Sequence, residues 1–60
     1  MTYMEIATYL GMVSEVLRKA REGEEDKDFI ETNNLLREAV MQAQLVMYEM
    51  ARREMKGEKP

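Results

Sequence analysis

The chain has no cysteine, no histidine and no tryptophan among its 60 residues, and only one proline and three glycines. Without cysteine there is no disulfide and no thiolate–metal framework to brace a small fold. Without histidine the commonest metal ligand and the usual proton shuttle near neutral pH are missing. Nucleophilic and metal-dependent hydrolysis lose their ordinary bases and ligands, and a Glu-x-x-His di-iron bundle is impossible. Long apolar runs are lacking too: nothing approaches the ~20 residues of a membrane span, and the N-terminus has no basic-then-apolar signal pattern. A formal charge of −3 disfavours general binding to a phosphate backbone. The expectation is a cytoplasmic protein without cofactor or metal, and not an enzyme.

What the sequence does contain is helical periodicity, broken in only two places. One break is Gly23 with the acidic run Glu24-Glu25-Asp26-Lys27-Asp28, and the other is Gly57 near the end. The acidic run lacks the alternating oxygen ligands and central glycine of a calcium hand. Thr2-Tyr3-Met4-Glu5 has the spacing of a capping box, in which a hydroxyl and a carboxylate satisfy the free N–H groups of a helix start. Asp28-Phe29-Ile30-Glu31 repeats that logic with an aspartate cap, and Asp26 is the alternative start. Gly23 and Gly57 suit the left-handed residue that closes a helix. The spacing predicts an all-α chain, with helices over about 2–22 and 28–56. A connection of about five residues makes the two antiparallel. Residues 1–60 read as one helical-hairpin domain, with 57–60 a flexible tail. Glu5 and Glu31 fall in first turns, and Arg18, Lys19, Arg21, Arg52, Arg53 and Lys56 near helix ends. The helix dipoles favour both placements and account for the basic clusters without nucleic acid.

At about 100° per residue the first helix gathers Tyr3, Ile6, Leu10, Val13, Leu17 and Ala20 into one stripe, widened by Tyr9, Met12 and Val16. The second helix carries a main stripe of Phe29, Leu36, Val40, Ala43, Met47 and Met50. Leu35, Ala39 and Val46 flank it on one side and Ala51 on the other. Across a divider of Arg37 and Gln44 lies a second stripe of Ile30, Met41, Leu45 and Tyr48. In the stretch LLREAVMQAQLVMYEM eleven of sixteen residues are apolar, which leaves only a narrow polar strip. A hairpin covers one stripe of each helix, so the surplus predicts completion into a bundle by self-association or by another chain. The expected partner-binding residues are Met41, Leu45, Tyr48, Met55, Tyr9, Met12 and Val16. Six methionines besides Met1 suit an adaptable surface. Asn33 interrupts the main stripe and is expected at the wet mouth of the bundle. Gly11, beside Ala7, suits close approach of a helix. The second helix is expected to overhang the first by about eight residues, roughly 12 Å.

The segment DFIETNNLLREAVMQAQLVM, Asp28–Met47, resembles the second helix of the small co-chaperones of type III secretion needle subunits. Phe29 stands at the family's aromatic position after the loop. Leu35-Leu36-Arg37-Glu38-Ala39-Val40-Met41-Gln42-Ala43 follows its Leu-Leu-x-Glu-Ala-x-x-Gln-Ala string. The resemblance covers a third of the chain. It implies an acidic helical hairpin, without catalysis of its own, that stabilises a tetratricopeptide-like chaperone holding an aggregation-prone helical subunit. The expected function is therefore a non-catalytic protein–protein interaction module, most specifically a co-chaperone or adaptor. The alternative is a homodimeric four-helix-bundle regulator with RNA as a candidate ligand, for which Tyr48, Arg52 and Arg37 form the nearest basic, aromatic face.

Overall fold

A computed structural model describes residues 1–57 and shows two antiparallel helices, α1 (Tyr3–Arg21) and α2 (Lys27–Met55), with no strand among the described residues. The chain is an all-α hairpin, with each helix within a residue of its expected bounds. Of the expected tail, residues 58–60 lie outside the described residues. The capping box at the start of α1 is formed. The Glu5 amide donates to Thr2 Oγ1 at 3.1 Å, and the Thr2 amide donates to a Glu5 carboxylate oxygen at 2.9 Å. At the other end Gly23 takes a φ of 74°, and the Glu24 amide reaches the Arg21 carbonyl, so the chain turns out of the helix where a side chain would be strained.

The start of α2 differs from the first expectation. Asp26 is the cap: one of its carboxylate oxygens accepts from the amides of Asp28 and Phe29, at 2.9 and 3.1 Å. A carboxylate two and three residues ahead of free N–H groups is the geometry a cap requires. Asp28 therefore lies inside the first turn, where it faces the positive end of the dipole in the place expected for Glu31. The loop is tied as well, because a Glu24 carboxylate oxygen accepts from the amides of Glu25 and Asp26.

The seam between the helices follows a strict 4-3 rhythm. Tyr3, Ala7, Leu10, Ser14, Leu17 and Arg21 on α1 meet Ile30, Asn33, Arg37, Val40, Gln44, Met47 and Ala51 on α2, and all are buried or half-buried. On α1 only Tyr3, Leu10 and Leu17 lie where expected; Ala7, Ser14 and Arg21 replace Ile6 and Val13, which are half-buried beside the seam, and Ala20, which is exposed. On α2 the expected phase also fails, because the line expected to divide two apolar stripes, Arg37 and Gln44, lies in the seam itself. Leu36 and Phe29, expected in the seam, are exposed, and Ala43 and Met50 are half-buried beside it. The physical cause is on α1, where Ala7, Gly11 and Ser14 form a shallow groove that admits long polar side chains. Gln44 enters it so closely that a Cβ on Gly11 would lie 2.8 Å from its amide nitrogen.

Asn33 is also not at a wet mouth. It is 3% exposed, and its amide donates to the Leu17 carbonyl at 2.8 Å. Little else is enclosed: Ala7 and Ala51 are the buried apolar residues, and no large side chain is fully buried among the described residues. From the opposition of Gln44 to Ala7, α2 runs past the start of α1 by about seven residues, roughly 10 Å. Met55 stands exposed on that overhang.

Candidate partner-binding surface

Each helix has two flanks beside the seam, and the antiparallel arrangement decides which flanks lie together. A right-handed helix receding from the viewer turns clockwise, and its antiparallel neighbour turns anticlockwise. Residues stepping the same way around each helix from the seam therefore end on the same side of the hairpin. On one side fall Ile6, Tyr9, Val13 and Val16 of α1 with Leu36, Ala43, Met47 and Met50 of α2. On the other fall Glu15, Arg18 and Glu22 of α1 with Arg37, Met41, Leu45 and Tyr48 of α2.

Two features agree with this assignment. The Glu15 carboxyl is held below its usual range, first by its hydrogen bond from Arg18 and more weakly by the charge of Arg37 from across the seam. The Gln44 amide, lodged against Gly11, also donates to the Tyr48 hydroxyl at 3.4 Å.

The two sides differ in chemistry. The second is mixed: Arg18 bridges Glu15 at 2.6 Å and Glu22 at 2.9 Å along α1, beside a short apolar row on α2. The first side has no charge between its two outer rows. Tyr9 and Val16 are exposed on α1, and Leu36 is 50% exposed on α2. Leu35, Ala39 and Val46 continue the apolar surface around the back of α2, all of them exposed. Between the outer rows, half-buried Ile6, Leu10, Val13, Val40, Ala43 and Met47 fill the floor. A shallow depression of about 240 Å³ lies on the α1 edge, lined by Tyr9, Met12, Val13, Val16 and Leu17.

The seven expected partner-binding residues are all exposed, but the structure does not bring them together. Tyr9, Met12 and Val16 border the broad apolar side. Met41, Leu45 and Tyr48 form a smaller patch on the opposite side, and Met55 is on the overhang. Leu36, placed in the seam by its spacing, belongs to the broad side. The small-residue line Ala7, Gly11, Ser14 was the signal that would have located it, since such a groove favours long side chains opposite it.

The chain finds no match among protein-family models, curated proteins or solved structures. The surface must therefore be read from its own geometry. The basic, aromatic group of Arg37, Arg52 and Tyr48 is not assembled as a free face. Arg37 is half-buried with its Nε enclosed in the seam, and Arg52 pairs with Glu49. No three His, Cys, Asp or Glu side chains stand together as a metal site among the described residues, and no helix described is long and apolar enough to cross a membrane.

Proposed function

We propose that the chain is a non-catalytic, cytoplasmic protein–protein interaction module, a co-chaperone or adaptor whose broad apolar side is completed by helices from another chain. The observation that carries this reading is the polar content of the seam. It holds Ser14, Asn33, Arg37 and Gln44 among Leu10, Leu17, Ile30, Val40 and Met47, while Tyr9, Val16 and Leu36 stand exposed on one outer side and Leu35 and Val46 behind it. Apolar surface spread over two helices of a small monomer is unfavourable in water and marks an association site. The resemblance of Asp28–Met47 to type III secretion co-chaperones supplies the finer form, stabilisation of a tetratricopeptide-like chaperone that guards a helical export subunit. Leu36 and Ala43, within the resembling string, lie on the broad side.

Sedimentation equilibrium and native mass spectrometry of the purified chain, alone and with such a chaperone, test the reading. Association that Leu36→Glu abolishes while helix content is retained is the expected result. A monomer at every concentration, with or without partner, that unfolds in one sharp transition would refute it. The co-chaperone form fails if the chain associates but ignores tetratricopeptide-like chaperones.

A further inference from the structure

We infer that the occupant of the broad apolar side is a second copy of this chain, packed face to face and antiparallel into a four-helix bundle. This rests on the reading of that side as an association surface, and three features point to a copy. The first is width. A single docking helix would lie over the floor between α1 and α2 and leave Tyr9 and Val16 on one edge, and Leu35 and Val46 on the other, in water. A partner two helices wide covers floor and edges together, and the hairpin itself has that width.

The second feature is area. The hairpin extends 47 Å by 14 Å, a footprint of roughly 660 Å² per copy. Because the overhang is one helix wide, two such faces bury at most roughly 1,300 Å² in all, at the low end of the range of about 1,200–2,000 Å² found for stable specific interfaces. The third is charge. Residues 24–28 at the loop tip carry four acidic side chains and one basic, a net of −3, while Glu22 beside them is paired with Arg18. With the copies antiparallel, the two acidic loops lie at opposite ends of the bundle. A parallel pairing sets the two acidic loops side by side, where like charges repel. A two-fold pairing of identical faces is also the commonest way a small protein closes its own surface.

The absence of cysteine allows a direct test with the full chain. Sedimentation equilibrium reports the stoichiometry, and a spin label on Glu25→Cys reports the distance between the two loops of a dimer by pulsed electron resonance. Dimers with a loop-to-loop distance near the 47 Å length of the hairpin are expected. Leu36→Glu and, independently, Val16→Glu are expected to raise the dimer dissociation constant at least tenfold, whereas Met41→Glu on the opposite side leaves it within about twofold.

A loop-to-loop distance of about 10–20 Å, one or two interhelical spacings, overturns the antiparallel arrangement. Dissociation by Met41→Glu and not by Leu36→Glu overturns the choice of face. A monomer that instead binds a different helical protein through Leu36 and Val16 overturns self-pairing and leaves the association reading standing. A cooperative monomer that binds nothing removes both.

Discussion

The close contact at Gly11 yields a sharp double-mutant test of the seam. Replacing a mid-helix glycine by alanine ordinarily stabilises a helix by about 1 kcal/mol. Here the new Cβ would lie 2.8 Å from Gln44 Nε2 and 3.8 Å from its Cδ, so the Gln44 side chain must withdraw. Withdrawal breaks the bond from that nitrogen to the Ala7 carbonyl, 3.1 Å long, which is worth about 0.5–1.5 kcal/mol. The two effects nearly cancel, and Gly11→Ala alone is expected to change stability by less than about 0.5 kcal/mol. Gln44→Ala removes the obstruction, and in that background Gly11→Ala should recover the full ~1 kcal/mol. The coupling between the two sites is then about 1 kcal/mol. Urea unfolding of the four variants, followed by far-ultraviolet circular dichroism at one fixed protein concentration, measures it; the concentration is held because association adds to apparent stability. If the two substitutions add to within about 0.3 kcal/mol, as independent sites do, Gln44 does not occupy the groove and the placement of the seam is wrong.

Three further outcomes follow from the caps and the seam. Asp26→Ala should cost about 1 kcal/mol in urea unfolding, and Asp28→Ala only a few tenths, because Asp26 alone caps α2; the reverse order would restore Asp28 as the cap. Glu5, Glu15 and Glu49 have carboxyls held below their usual value of 4.5, by hydrogen bonds from the Thr2 backbone, Arg18 and Arg52 respectively. A depressed folded-state value contributes stability above pH 4.5 that is lost as pH falls through the lowered values, so the urea midpoint should drop on acidification and drop less in Glu5→Gln. Asn33→Asp replaces the amide that donates to Leu17 by a carboxylate facing a carbonyl in a buried site. It should cost about 3 kcal/mol or more at neutral pH, with partial recovery in acid as the buried carboxyl takes up a proton; stability unchanged at pH 7 would show that Asn33 is not enclosed.

Secondary structure was legible in the sequence because its signals are local. Thr2 and Glu5 are three residues apart, Gly23 marks a left-handed position, and the 3.6-residue rhythm needs no knowledge of the partner helix. The rotation of α2 was less legible. Its aliphatic residues span a wide arc, so the centre of that arc pointed to Leu36, Ala43 and Met50 as the seam. The deciding information was on the other helix: Ala7, Gly11 and Ser14 leave space that Gln44 enters and Leu36 does not. A polar residue with a bonding partner across the seam outcompetes an aliphatic one whose burial can be met elsewhere, and that partner is a backbone carbonyl invisible to residue-type patterning. The same rotation explains why Tyr9 and Val16 separate from Met41 and Leu45. Each was rightly expected outside the seam, but the side of the hairpin depends on where the seam runs.

The exchange of polar for apolar residues at the seam has a physical use. Apolar contact is non-directional, and two smooth aliphatic helices can slide along one another at little cost. The Asn33 amide meets the carbonyl of Leu17 and the Gln44 amide that of Ala7, two carbonyls ten residues apart on α1 and therefore about 15 Å apart along it. Sliding α2 by one turn would break both bonds together and leave each amide enclosed without a partner, at about 1–3 kcal/mol apiece. Two directional bonds at separated points thus hold one register, as a single buried asparagine does in a coiled coil. Burying the aliphatic rows in the seam would have given the hairpin more stability alone and left it nothing to offer a partner. With register held by amides, the rows of Tyr9 and Val16 and of Leu36 and Val46 are presented in a fixed relation across two helices. A partner then binds a surface already ordered, so less conformational freedom is lost on association.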